Sequence, residues 1–269
     1  MGARRFSGCI LLGAALVTAT ASADVGEDAT TATSVTQATI AQHEGSLATQ
    51  LEQADVLWTQ RNQTLSLDEA IALLQDAQTQ NPQAFDVHWQ LARFLYWKAT
   101  ESDRKSKAAL AEQGWQAGQK AIQLNPNRVE GHYWAAACVG AWSDALGIPR
   151  SIAKGLSDKF EVPAKRAVEI DANHDGGGPL RVLGRFYATI PWPFKDVDKA
   201  RGLLERALEA GPTSGTNLYF LADLAHQSKD DELGGAYLVS LITLEPSDGD
   251  GPEILRYQKV GKELAGQIQ

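Results

Sequence analysis

Ala121-Ile122-Gln123-Leu124-Asn125-Pro126 closes one helical stretch of this chain, and three relatives of that hexapeptide close others. They read Ala77-Gln-Thr-Gln-Asn81-Pro82, Ala207-Leu-Glu-Ala-Gly211-Pro212 and Leu241-Ile-Thr-Leu-Glu245-Pro246, with a degenerate fifth at Ala167-Val-Glu-Ile-Asp171-Ala172. A helix that runs into Asn or Gly and then Pro stops there, because proline has no N–H to donate and disfavours helix at the residue before it. The copies are separated by 44, 46, 40 and 34 residues. Recurrence on that scale is the mark of stacked helix-turn-helix units.

The residues upstream of the stops agree. Ala70, Leu74, Ala77 and Pro82, and again Ala200, Leu204, Ala207 and Pro212, have the spacing of the second half of a tetratricopeptide (TPR) unit. First-helix marks are Leu91-Ala92, Leu183-Gly184-Arg-Phe-Tyr187 and Leu221-Ala222. Only the last spacing equals the ~34-residue repeat, so the others carry insertions. These fall at a charged bend from Glu101 to Lys107, at a short helix over 151–158 with Ile152 and Leu156 on one face, and at Ile190-Pro-Trp-Pro-Phe194, where two prolines forbid a helix. Insertions on one side of a repeat stack commonly build its binding surface. Ile254, Tyr257, Gly261, Leu264 and Ile268 share one face of a final helix, the cap that a solenoid needs over its last apolar face. The fold class is therefore all-α: a TPR-like solenoid of about five degenerate repeats with a C-terminal capping helix, spanning 46–269.

Residues 1–23 have the parts of a secretory signal: Arg4 and Arg5, an apolar run from Ile10 to Val17, and small residues ending Ala21-Ser22-Ala23. The expected location is the periplasm. The run is shorter than the ~20 residues of a membrane span, so the mature chain is expected to have no transmembrane segment. Cys9 precedes most of the apolar run where a lipid acceptor would close it, which argues against a lipid anchor. Residues 24–45, rich in Ala, Thr, Ser and Gln, carry too little apolar surface to offset ordering and read as a flexible tether.

The formal charge of −8, which becomes −10 without Arg4 and Arg5, argues against nucleic acid as a partner. Cys138 alone remains after cleavage, so no internal disulfide is expected, and its apolar setting reads as core. Catalytic and metal motifs are scarce. The chain has no His-Glu-x-x-His helix, nucleophile elbow or P-loop, and its five histidines are scattered, so neither an enzyme, a metal nor a cofactor is expected. Asp248-Gly-Asp250-Gly251 resembles the start of a calcium loop but finds Lys259 where Glu is required, and reads as a turn.

Two features stand out as binding candidates. Asp175-Gly176-Gly177-Gly178-Pro179 leads into a helix beginning at Pro179, with Arg181 and Arg185 one turn apart on one face. Backbone N–H groups and two guanidinium groups there would suit an anion; the plainer reading is an inter-repeat turn with paired arginines. Replacing both arginines with Ala is expected to abolish anion binding and leave the melting temperature nearly unchanged. Aromatics are dense from Phe85 to Trp142, mostly as core, with Trp89, Tyr96 and Trp97 near one stripe and available to line a groove.

Asn125-Pro-Asn-Arg-Val-Glu130-Gly131-His132-Tyr133-Trp134 together with Gly176-Gly177-Gly178-Pro-Leu-Arg181-Val-Leu-Gly184-Arg185-Phe-Tyr187 resembles the T component of TPR-associated TRAP transporters, over roughly residues 50–250. The resemblance implies a periplasmic subunit that associates with the substrate-binding protein of a tripartite uptake system. It also implies assembly as a ring-like trimer and an apolar pore for a hydrophobic or organic-acid ligand. The positions it marks are Gly131, His132, Tyr133, Trp134, Gly177, Gly178, Arg181, Gly184 and Arg185. Members are often lipoproteins, and the cleavable signal here departs from that pattern. A general envelope scaffold is the competing expectation.

Overall fold

The computed structural model describes residues 46–269 apart from 192, 248 and 269. Residues 1–23, read above as a signal, and 24–45, read as a tether, lie outside the described residues, as do Trp192 and Asp248. Among the described residues there are twelve helices and no strand. They are α1 (46–59), α2 (Thr64–Gln80), α3 (Phe85–Glu101), α4 (Arg104–Leu124), α5 (Val129–Leu146) and α6 (Ile148–Ala153). They continue as α7 (Leu156–Asp171), α8 (His174–Thr189), α9 (Val197–Ala210), α10 (Gly215–Gln227), α11 (Asp231–Ile242) and α12 (Gly251–Ala265). The five units are α1/α2, α3/α4, α5/α7, α8/α9 and α10/α11, each followed in sequence by one of the stops read above.

The stops work as the sequence implies. The Asn81 N–H donates to the Ala77 carbonyl at 2.7 Å, Asn125 to Ala121 at 2.9 Å and Gly211 to Ala207 at 2.9 Å, so the small residue four back accepts each time. A second bond reverses the chain: Ala84 N–H to Asn81 at 3.0 Å and Ser214 N–H to Gly211 at 3.1 Å. His88 and His132, each six residues past the proline, pin two of these turns by donating from Nε2 to the Pro82 and Pro126 carbonyls at 3.0 and 2.9 Å. The fourth direct copy departs: α11 ends at Ile242, so Glu245 and Pro246 stand beyond it.

Packing follows the small residues. Gly118 of α4 lies so close to α5 that a Cβ there would meet the Ala135 Cα at 2.8 Å. Leu74, Ala77, Ala121, Ala167, Leu204 and Ala207 are fully buried on second helices. Each such leucine contributes roughly 2 to 3 kcal/mol by leaving water. Cys138 is buried in the same seam, and burial raises its thiol pKa, which leaves it unreactive core. In the cap, Ile254, Tyr257, Gly261 and Leu264 are all buried, against the face of α10 and α11.

Two expectations about the insertions are corrected. The short helix occupies Ile148–Ala153 and not 151–158, because Pro149 starts it early and Gly155, at φ 63°, ends it. Ile152 and Leu156 consequently part company: Ile152 is 67% exposed, whereas Leu156 opens α7 at 2%. The charged bend between α3 and α4 is a two-residue turn whose Asp103 caps α4 by accepting from the Lys105 and Ser106 N–H groups. The extra length of that unit lies in its helices.

The glycine run does two separate jobs. Asp175, Gly176 and Gly177 adopt left-handed φ values of 52°, 60° and 80°, and regular helix resumes after them, close to the expected start at Pro179. At Gly177 a Cβ would also meet the Ala207 Cα at 2.7 Å. Gly177→Ala is therefore expected to cost about 2 to 4 kcal/mol, from strain at positive φ plus overpacking against α9. Urea denaturation of the variant beside the parent chain checks this.

Candidate functional site

First helices of successive units pack on one another, α3 on α5, α5 on α8 and α8 on α10, while successive second helices stand apart. The first helices therefore form the inner row of the stack. Their shared face carries the aromatic stripe: Trp58 packs edge-on against Phe94, Trp97 and Trp134, with ring centroids 5.2, 5.9 and 6.0 Å away, and Trp134 continues to Tyr96 and Tyr133.

Beside the aromatics lies a buried polar knot. Arg181, 5% exposed, donates to the Tyr133 hydroxyl at 2.9 Å, the Asp175 carboxylate at 3.1 Å, the Asn217 side-chain oxygen at 3.1 Å and the Ser214 hydroxyl at 3.3 Å. Tyr133 in turn donates to Asp175 at 2.8 Å. The Asn217 amide, fully buried, donates to the carbonyls of Gly176, Ala207 and Gly211 at 3.0, 2.8 and 3.2 Å. Glu253 of α12 accepts from Ser214 Oγ at 3.1 Å and from the Thr216 N–H at 3.3 Å. Burial works against charge on both Glu253 and Arg181. Arg181 and Thr216 nevertheless hold the Glu253 carboxyl below its ordinary pKa, while Tyr133, Glu253 and Asp175 keep the guanidinium above its own. Burial pushes the Tyr133 hydroxyl well up, so it serves as a neutral relay between a cation and an anion.

The first two units and the capping segment meet on the same face. Arg61, in the turn after α1, donates through Nη1 to the Gly249 carbonyl at 2.6 Å. Arg256 of α12 donates to Thr100 Oγ1 at 2.9 Å, lies 3.0 Å from Glu101 and sits 5.1 Å from the Trp97 ring. The cap thus bridges the first and second units.

The candidates from sequence fall into three groups. Tyr133, Trp134, Trp97, Gly178 and Arg181 converge on the inner face, where Gly178 makes room for the Tyr133 ring; a Cβ there would approach it to 2.7 Å. His132 and Gly177 are structural, serving turns already described. Trp89 is half-buried, donates to Asp86 at 2.8 Å and lies under the Arg93 guanidinium. Arg185 does share a face with Arg181, since both reach α10, but it is ion-paired with Asp223 and stacked on Phe220. The two arginines expected to hold an anion are thus engaged with groups of the chain itself. Because Arg181 is buried in internal bonds, its loss is now expected to lower the melting temperature. Arg61, Arg93, Asn217 and Glu253 were not legible as site residues. Of these only Asn217 leaves a trace, a polar residue where the helix needs an inward one.

A family model described as regulator of microtubule dynamics protein 1-3 matches residues 50–192, more than half of the 269. No curated protein sequence matches the chain. Among solved structures, a thermophilic TPR protein from Thermus thermophilus is similar over 78% of this chain and 97% of its own, with a TM-score of 0.58 and 20% identity. That likeness shows the TPR-type fold.

Loss of one partner from a buried ion-paired network costs about 3 to 5 kcal/mol, against ~1 kcal/mol or less for a half-exposed pair. Arg181→Met should therefore lower stability far more than Arg185→Gln in urea denaturation. Burial, only partly offset by the proline carbonyls, also depresses the His88 and His132 pKa values below the ordinary imidazole value. The unfolded chain then binds more protons as pH falls through about 6.5. Stability contributed by these neutral rings is present above that pH and lost below it. Melting temperature should drop between pH 7 and 5, and the slope should flatten in a His88→Gln, His132→Gln variant.

Proposed function

The chain belongs to the regulator of microtubule dynamics protein 1-3 family, whose model spans its first three units and α8, and we propose that it is a scaffold that holds a partner protein on one edge of the stack. The supporting observation is where four of the eight large exposed apolar side chains of the described residues sit, the other four, Val56, Val162, Val239 and Leu255, lying along α1, α7, α11 and α12. Because neighbouring helices are antiparallel, the turn inside every unit falls on the same edge. On that edge Leu65 opens α2 at 83% exposure, Ile148 and Ile152 of the inserted α6 are 52% and 67% exposed, and Phe194 in the 190–196 connection is 72% exposed. Both insertions therefore add apolar surface where a partner has free approach, whereas the inner face is spent on internal bonds. Exposed large apolar groups grouped in this way are what a docking surface requires.

The partner we propose is the substrate-binding protein of a TRAP-like uptake system in the periplasm, with an organic-acid or hydrophobic solute as the cargo handled between them. The support is the resemblance carried by 125–134 and 176–187 and the signal-like first 23 residues. The family's description brings a different partner, a tubulin-like filament protein.

Capture from periplasmic and membrane extracts with the tagged mature chain, read by mass spectrometry, separates these. Recovery of a solute-binding protein is the expected result. Recovery of a tubulin-like protein would replace the partner, and a broad set of envelope proteins would leave only a general scaffold. The double variant Ile152→Glu, Phe194→Glu should reduce capture roughly tenfold or more while stability stays within ~1 kcal/mol, as exposed substitutions do. Undiminished capture would move the docking surface elsewhere.

A further inference from the structure

The inserted helix α6 is six residues long, about 9 Å along its axis, so its side chains share one small surface. Ser151, 8% exposed, ties it to α5: Ser143 Oγ donates to Ser151 Oγ at 2.9 Å, and Ser151 Oγ donates to the Gly147 carbonyl at 2.8 Å. Ile148, Arg150 and Ile152 are left exposed. Arg104 joins them from the start of α4. Its Nε donates to the Ala145 carbonyl at 2.6 Å, and its Nη2 lies 3.4 Å from the point where a Cβ on Gly147 would stand. Lys105 follows it and is exposed.

Charge in this stretch runs against the rest of the chain. Residues 103–159 hold eight Lys and Arg against five Asp and Glu, a net of +3, whereas the whole chain is −8 and the remainder therefore −11. The five acids are engaged close to home. Glu112 lies 3.8 Å from Lys154, Asp144 lies 2.9 Å from Lys107, and Glu130 is paired with Arg128. Asp103 caps α4, and Asp158 sits in the first turn of α7, where the helix dipole favours an anion. Among the described residues, by contrast, no carboxylate oxygen lies within 4 Å of Arg104, Lys105 or Arg150. Cations without an ion pair, set round two exposed isoleucines, are half of an interface: apolar contact supplies adhesion and the charges select what may adhere.

We propose that the partner segment docking at this edge is acidic and amphipathic, laying apolar side chains on Ile148 and Ile152 and bringing carboxylates to Arg104, Lys105 and Arg150. The inference rests on the docking-edge reading and adds to it the chemistry of the partner. A basic segment would be repelled, and a neutral one would cover three cations without replacing the water they lose. An anionic membrane surface would meet the same cations, but the −11 carried by the remainder opposes its approach, and two isoleucines on six residues are a small foothold beside a helix that lies on a bilayer. A positive patch on an acidic chain also orients an acidic partner before contact, which raises the rate of association.

The test pans a displayed library of random peptides of about 16 residues, roughly four helical turns, on immobilised residues 24–269, and measures the leading peptide by fluorescence anisotropy. Enriched sequences should combine apolar residues with Asp and Glu and carry net negative charge. Lys105→Glu, Arg150→Glu should weaken the leading peptide roughly tenfold or more, as should Ile148→Ser, Ile152→Ser, whereas Leu255→Ser on α12 should leave it unchanged. All of these side chains are exposed, so the variants keep the fold, which circular dichroism checks. No enrichment, neutral or basic binders, or undiminished affinity after charge reversal overturns the acidic partner. Loss in the serine variant with none on charge reversal keeps the docking edge and overturns only the acidic chemistry. Loss on charge reversal with none in the serine variant overturns the amphipathic segment, and retention in both removes the edge itself. Sedimentation of the chain with phosphatidylglycerol vesicles, abolished by Lys105→Glu, Arg150→Glu and unaccompanied by peptide enrichment, would assign the patch to a membrane instead.

Discussion

Arg181 carries a full charge in a place that water does not reach, and the second half of the stack is arranged around it. Its fork of donors is shared among Tyr133 of α5, Asp175 before α8 regains its regular course, and Asn217 and Ser214 at the start of α10. Separate stretches of chain are thereby fixed at one point. The positive φ values at Asp175, Gly176 and Gly177 have a reason in this arrangement: only that backbone brings the Asp175 carboxylate back to the arginine that follows it by six residues. Asn217 then takes up the carbonyls that the bent backbone and the end of α9 leave free. Packing specifies where the helices lie, and the knot specifies their register.

A stack of repeats is normally coupled only between neighbours, so its ends are independent. Here they are not. Arg61 reaches the Gly249 carbonyl across 188 positions of sequence, and Arg256 reaches Thr100 and Glu101 across 156 and 155. The capping helix therefore covers the last apolar face and, with Gly249 just before it, also braces the first two units. The inner face, which a solenoid commonly offers to partners, is filled by this brace, by the knot and by packed indoles. The edge where the insertions lie is left as the surface on which we propose that a partner docks.

Much of this was legible in the residues. Proline stops with alanine five positions back specify the turns, and the structure shows the same bond closing three of them. The cap was readable from one apolar face, and Cys138 from its neighbours. The short insertion helix was misplaced because periodicity in a six-residue element is weaker than the Pro149 and Gly155 signals that bound it. The knot was half legible: the glycine run and Arg181 drew notice for their unusual chemistry, but their spacing alone points them outward to an anion. What decides their direction is Asn217 and Tyr133, 36 and 48 positions from Arg181, and no local pattern encodes such a meeting. Arg61 and Arg93 are ordinary residues in sequence, and their meeting with Trp58 and Trp97 exists only after folding.

The central claim is that contacts across the inner face make one cooperative body of units that a simple solenoid would leave independent. Six of the seven tryptophans precede residue 143, so indole fluorescence reports the first three units, while far-ultraviolet circular dichroism reports every helix. Equilibrium urea unfolding of residues 24–269 followed by both signals tests the claim directly. The account predicts a single transition with coincident midpoints; separated midpoints, with either half melting first, would contradict it.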